Sequence, residues 1–290
     1  MKTVHHYANT YARGIEINNI SRRMKNTTHI QGFRCFGEKA DDGNPALVVE
    51  YDRSPLAARL AFARERNTTC VWIDPPDEDG VVAIVDYFYP HARSPLCLHA
   101  TLAAGQRLFM QHGERSALTV TTAVHGQRLG LVPGANGEVF VRLQQQDAPQ
   151  PRVTPEAIGA LLAAPGLAPL APVRVLSVGS PKLLVEVADA ATLHGLTPDL
   201  PAIVAWGKAT GVNGIYAYCK LDDDSYEGRN FNHLDPALED SATGVAAGAL
   251  TALLGHGITL RQGRATGRIC MINTCVEGAE ILVGGKVELV

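Results

Sequence analysis

Two titratable side chains, His99 and Asp240, stand at similar points of a phrase that the chain contains twice. The segment Leu98–Gly105 (LHATLAAG) recurs in similar form as Ser241–Gly248 (SATGVAAG), and each copy runs into an apolar, alanine-rich stretch. A histidine and a carboxylate on opposite sides of a bound molecule can transfer protons, because their proton affinities differ. The sequence therefore predicts acid–base catalysis by Asp240 and His99.

The starts of the two repeated helices are also candidate binding sites for a small acid. A helix N-terminus presents unpaired N–H groups and a partial positive charge, so it attracts a carboxylate. The same dipole favours an ionised Asp240 and should depress the pKa of His99. The ligand-binding residues predicted around these helix starts are Ala100, Thr101, Ser241, Thr243, Gly244 and Val245. The alternative is that the Thr and Asp side chains only cap their own helices.

Two further residues next to the helix starts have open roles. Cys97 lies two residues before His99, where a helix end and a basic neighbour would favour a reactive thiolate. Cys97 is therefore a further candidate for catalysis, and a buried, inert thiol is the alternative. Glu239 is either a second carboxylate in the site or a solvated loop residue.

Composition limits the class of protein. The chain has 290 residues, 46% hydrophobic residues and a formal net charge of -3, which fits two globular domains and argues against a nucleic-acid partner. No apolar run reaches the length of a membrane span. Its six cysteines form no CxxC pair or metal-ligand spacing, so we expect no metal site, reduced thiols and a cytoplasmic location.

The predicted elements follow the same order in both halves of the chain. Residues 1–28 are polar and predict a poorly ordered leader without a secretory signal. Residues 29–146 and 147–290 then form two domains, with the last strand a candidate to pair with the first domain. Helices are predicted over 54–66, 99–111, 155–163, 199–209 and 242–254, between many short strands. An α+β fold follows, with two pseudo-twofold-related curled sheets, each wrapped like a barrel around one apolar helix.

Three segments together resemble a known family. They are Gly43–Val49 (GNPALVV), Phe88–Pro90 leading to Leu96–Ala104 (LCLHATLAA), and Glu239–Gly248 (EDSATGVAAG). In order and spacing they resemble the GNP, F-x-P…F-C-G-H-A-T and E-D-x-A-T-G-S-A signatures of the PhzF-like phenazine-biosynthesis isomerases. That family belongs to the diaminopimelate-epimerase superfamily.

The resemblance implies two similar barrel domains, an active site in the cleft between them and a homodimer. It also implies proton transfer on a small carboxylate-bearing molecule without a cofactor. His99 and Asp240 match the family's histidine and aspartate. The family's catalytic glutamate has no counterpart: either Asn67 replaces it, or the three residues that carry it are deleted. We assign Asn67 to ligand binding.

Smaller departures accompany the missing glutamate. Leu98 precedes the histidine in place of glycine, Arg93 replaces a glutamate, and Val245 replaces a serine. Two functions therefore remain open: an isomerase or epimerase-like enzyme with altered proton transfer, and a small-acid binding protein that has lost turnover.

Overall fold

The structure is a computed structural model that describes residues 27–39, 42–113, 116–231 and 239–290. The predicted leader therefore lies outside the described residues as far as residue 26. Within the described residues, no helix is long and apolar enough to cross a membrane.

The described residues of the first half form eight strands and two α-helices. In chain order they are β1 (His29–Cys35), β2 (Asn44–Glu50), α1 (Leu56–Arg66), β3 (Thr69–Asp74), β4 (Ala83–Phe88), β5 (Arg93–Ser94), α2 (Leu98–His112), β6 (Leu118–Thr122), β7 (Arg128–Pro133) and β8 (Glu138–Gln144).

In the second half, the part of the chain that the structure describes forms four α-helices and seven strands. They are α3 (Pro155–Leu161), β9 (Arg174–Leu176), β10 (Lys182–Glu186), α4 (Ala190–Gly195), α5 (Leu200–Thr210), β11 (Ile215–Lys220), β12 (Ser225–Phe231), α6 (Gly244–Leu254), β13 (Thr259–Gln262), β14 (Cys270–Glu277) and β15 (Glu280–Leu289).

The C-terminal strand β15 joins the two sheets. It pairs with β8 along residues 280–286, with β14 on its other edge and with β1 at residues 287–289. The first sheet therefore closes into a barrel in the order β1-β2-β3-β4-β6-β7-β8-β15. Strand β15 runs unbroken over residues 280–289. Gly284 and Gly285 keep the strand continuous, because a Cβ at Gly284 would lie 2.2 Å from the carbonyl oxygen of Val139.

Each sheet wraps around one central helix, as predicted. Helix α2 packs inside the first barrel and buries residues such as Leu102 and Ala104 completely. Helix α6 packs against β9, β10, β14 and β15 of the second sheet. A helix that is apolar on every face is stable only when it is enclosed. The α+β fold of two similar halves is therefore confirmed.

Strand register relates the two halves residue by residue. Leu47, Cys70 and Phe88 are paired across β2, β3 and β4. Their counterparts are Leu183, Ile215 and Phe231 across β10, β11 and β12. This alignment exposes a second repeated phrase that the sequence analysis missed, GNPALVVE at 43–50 and GSPKLLVE at 179–186.

The two central helices meet at their N-terminal ends. Gly244, the first residue of α6, lies against the side chains of Leu98 and Phe36. A Cβ built on Gly244 would be 2.9 Å from Leu98 Cδ1 and 3.1 Å from Leu98 Cβ. The leucine that departs from the family pattern thus fills the space that a side chain at residue 244 would need.

We predict that Gly244→Val lowers the free energy of unfolding by about 1 to 3 kcal/mol, because the added methyl groups overpack this contact. Adding Leu98→Ala should recover part of that loss, so the two substitutions should be non-additive in urea unfolding.

The matched control is Gly195→Ala in α4, where an added Cβ meets nothing within 4 Å. This control should not lower stability. Additive effects of Gly244→Val and Leu98→Ala would show that the two helix starts are not in direct contact.

Candidate active site

A cavity of about 490 Å³ lies where the two halves meet. Its volume suits a small ligand. The first half contributes Asn44, Pro45, Asn67, Thr68, Thr69, Tyr89, Pro90, His91 and His99, and the second half contributes Glu239, Asp240, Ser241, Thr266 and Arg268. Both predicted catalytic residues, His99 and Asp240, thus line one cavity.

Asp240 is held by groups from both halves. The hydroxyl of Thr243 donates to its Oδ2 at 2.6 Å, and Asn44 Nδ2 donates to its Oδ1 at 3.2 Å. Asn44 Nδ2 also donates to the carbonyl oxygen of Ala242 at 3.0 Å. Asn44 follows Gly43, whose φ of +86° and contact with Cys35 exclude a side chain. The GNP motif therefore presents an amide to the aspartate of the opposite half.

His99 is paired with Cys97 at the start of α2. Cys97 Sγ lies 3.4 Å from His99 Nδ1. Burial alone would lower the pKa of His99, but the Cys97 thiolate and the Asp240 carboxylate raise that pKa above its ordinary value. The expected depression of the His99 pKa by the helix dipole is therefore wrong. The two negative groups close to the imidazole favour its charged form.

Cys97 has the environment of a stabilised thiolate. Burial would raise the pKa of Cys97, yet His99, the Tyr89 hydroxyl and the N–H of Ala100 together lower that pKa below its ordinary value. Burial raises the pKa of Tyr89, so its hydroxyl stays protonated and can donate to the sulfur. Cys97 is buried and does not line the cavity. The thiolate therefore acts on the cavity through His99.

Two of the predicted ligand-binding residues line the cavity. Ser241 does so with its Oγ 2.7 Å from Thr266 Oγ1. Asn67 does so from the C-terminal cap of α1, with a left-handed φ of +46° that asparagine tolerates.

The remaining predicted ligand-binding residues lie behind the cavity lining. They are Ala100, Thr101, Thr243, Gly244 and Val245. The Thr101 hydroxyl is bonded to the carbonyl oxygen of Cys97 and to Tyr87, and the Thr243 hydroxyl is bonded to Asp240. Both hydroxyls thus have partners within the protein, and direct ligand contact by these residues stays a prediction.

Glu239 and Arg93 are held in ion pairs. The Arg229 guanidinium donates to both carboxylate oxygens of Glu239, at 3.0 and 2.7 Å. Arg93 Nε donates to the buried Asp86 at 2.8 Å, away from the cavity. Glu239 is therefore a second carboxylate in the cavity, paired with Arg229, and it is not a solvated loop residue.

The cavity residues that were not identified from the sequence include Asn44, Tyr89, His91 and Arg268. Asn44 belongs to the GNP motif, which indicates the family but does not indicate a role for this asparagine. The rings of Tyr89 and His91 stack in parallel with centroids 5.7 Å apart. Arg268 lies in a loop with no motif, so nothing in its local sequence indicates the cavity.

We predict that Cys97→Ala lowers the pKa of His99, because the substitution removes the thiolate and leaves burial to favour the neutral ring. Histidine-labelled NMR titration measures this pKa directly. The wild-type ring should stay protonated to higher pH than the ring in the variant.

Cys219→Ala is the control, since burial raises the pKa of that distant thiol to about 11. It should leave the His99 titration unchanged. An equal His99 pKa in wild type and Cys97→Ala would contradict the ion pair between the Cys97 thiolate and the His99 imidazolium.

Comparisons with known proteins identify the family and the fold. Residues 33–288 match the family model described as phenazine biosynthesis-like protein (PhzC-PhzF). An uncharacterized isomerase from Deinococcus radiodurans is 34% identical over 256 residues, covering 81% of this chain and 79% of the relative. The uncharacterized isomerase YddE of Escherichia coli K12 is 29% identical over 267 residues, covering 83% of this chain and 88% of that relative.

A solved structure shows the same fold. A predicted epimerase from Pseudomonas aeruginosa superposes with a TM-score of 0.74 at 24% identity, covering 91% of this chain and 97% of the other. The family match and the superposition each cover most of the chain, and the three motifs lie within the matched residues. The chain therefore belongs to the phenazine biosynthesis-like (PhzC-PhzF) family.

Proposed function

We propose that this protein is an isomerase that moves a proton on a small carboxylate-bearing metabolite, without a cofactor, in the cavity between its halves. The observation that carries the proposal is that a cysteine-paired histidine and an anchored aspartate line one cavity. The relatives named as uncharacterized isomerases support the reaction class.

In this proposal Asp240 is the base and His99 is the acid. Neutral donors, Asn44 and Thr243, bond to the carboxylate of Asp240 and hold it in place. The imidazolium of His99 is balanced by the Cys97 thiolate. Asp240 takes a proton from the carbon next to the substrate carboxylate, and the electron pair delocalises onto that carboxylate. His99 then gives a proton to another carbon or to the opposite face.

The family's glutamate has no replacement in this scheme. Asn67 lines the cavity but carries no exchangeable carboxyl proton. Glu65 lies on the exposed side of α1 and is not a cavity residue. Asp240 and His99 must therefore carry both proton transfers. Cys97 stabilises the positive charge on the histidine.

We predict that the wild-type protein incorporates solvent deuterium into at least one member of a panel of small amino and hydroxy acids. Asp240→Asn and His99→Ala should each slow labelling by about 10²-fold or more, because each removes one proton-transfer group. Mass spectrometry of the recovered acids gives the labelling rates.

Asp223→Asn and His256→Ala, which change exposed residues, are the matched controls and should label at the wild-type rate. If the wild type labels nothing while one of the acids raises its melting temperature, the proton-transfer proposal fails. The alternative of a small-acid binding protein, which the missing glutamate favours, would then stand.

The homodimer and the cytoplasmic location also remain proposals. The homodimer rests on the family resemblance, and the location rests on the cysteines. All six cysteines are free thiols in the structure, and five of them are buried, which is compatible with a reducing compartment.

A further inference from the structure

Two N–H groups at the starts of the central helices already have partners within the protein. In α2, the N–H of Ala100 bonds to Cys97. Ahead of α6, the N–H of Thr243 donates to Gln262 Oε1 at 3.3 Å. A substrate carboxylate at either position would have to displace these acceptors. A substrate carboxylate therefore needs a partner besides these two N–H groups, and a cation of the cavity would supply it.

Arg268 is a cavity cation whose charge has no internal partner in the described part of the chain. Its guanidinium Nη1 donates to the carbonyl oxygen of Gly43 at 2.7 Å, and it forms no ion pair with any described carboxylate. By contrast, Glu239 in the same cavity is neutralised by Arg229. A guanidinium has five N–H donors and binds a carboxylate through two of them at once.

The backbone that carries Arg268 is firmly held. The Arg268 N–H donates to the carbonyl oxygen of Gly263 at 3.0 Å. Gly263 has a φ of +102°, and a Cβ there would lie 2.9 Å from the carbonyl oxygens of both Arg268 and Ser241. Thr266 in the same loop bonds to Ser241. The loop is thus packed against the residues that precede α6, and the Gly43 bond ties Arg268 to the first half.

We propose that Arg268 is the residue that binds the substrate carboxylate. His99, Asp240 and Arg268 line one cavity. A carboxylate bound to Arg268 therefore places its neighbouring carbon in the same cavity as the proton-transfer pair, His99 and Asp240. The ligand's status as substrate rests on the proposed function, but its binding can be measured without turnover.

The test is isothermal titration calorimetry of the full chain with two acids and their neutral amides. The probes are L-lactate against L-lactamide, and benzoate against benzamide. Wild type should bind each acid more tightly than its amide. Arg268→Gln should weaken binding of the acids by about tenfold to a hundredfold and leave the amides unchanged, because only a charged group uses the guanidinium.

Arg264→Gln is the matched control, since Arg264 is an exposed arginine of the same loop outside the cavity. It should bind all four probes as wild type does. Arg268→Lys keeps the charge without the bidentate geometry and should retain only part of the affinity for the acids. If circular dichroism shows that Arg268→Gln does not fold, the affinity of Arg268→Lys for the acids tests the proposal instead.

The proposal is overturned if wild type does not distinguish acids from amides, or if neither Arg268 variant weakens acid binding. Its failure is separable from that of the proposed function. Deuterium labelling with unchanged acid affinity in the Arg268 variants removes only the carboxylate anchor. A charge-selective loss of binding without any labelling in the wild type removes only the proton transfer.

Discussion

One amide holds the candidate active site together across the two halves. Asn44 Nδ2 donates to Asp240 Oδ1 at 3.2 Å and to the carbonyl oxygen of Ala242 at 3.0 Å, so a first-half residue fixes the residues that precede α6. Arg268 makes the reciprocal contact from the second half to Gly43. Together with the Thr243 hydroxyl, these bonds keep Asp240 at the cavity that His99 lines.

The shared strand β15 fixes the two halves relative to each other and so supports these contacts. It hydrogen-bonds to β8 and β1 of the first half and to β14 of the second. The close approach of these strands at Gly284 leaves no room for a side chain, because a Cβ there would lie 2.2 Å from the carbonyl oxygen of Val139. The two central helices are therefore anchored in one continuous sheet, which keeps their N-terminal ends together.

The sequence predicted what depends on local pattern and missed what depends on distant partners. Apolar periodicity and the repeated phrase predict the central helices and identify His99 and Asp240. The Asn44–Asp240 and Arg268–Gly43 contacts join residues 196 and 225 positions apart, so no local pattern indicates them. The error over the His99 pKa has the same origin, because the helix dipole is readable from sequence whereas the charges facing the ring depend on the fold.

The central claim is that one cavity brings a small acid between His99 and Asp240. A crystal structure of the wild-type protein soaked with an acid that it labels tests this claim most directly. We expect the carboxylate of the acid to bind Arg268, with its adjacent carbon between the imidazole of His99 and the carboxylate of Asp240. An acid bound instead in the separate cavity beside Arg59 and Arg93, with the cavity at His99 empty, would contradict it.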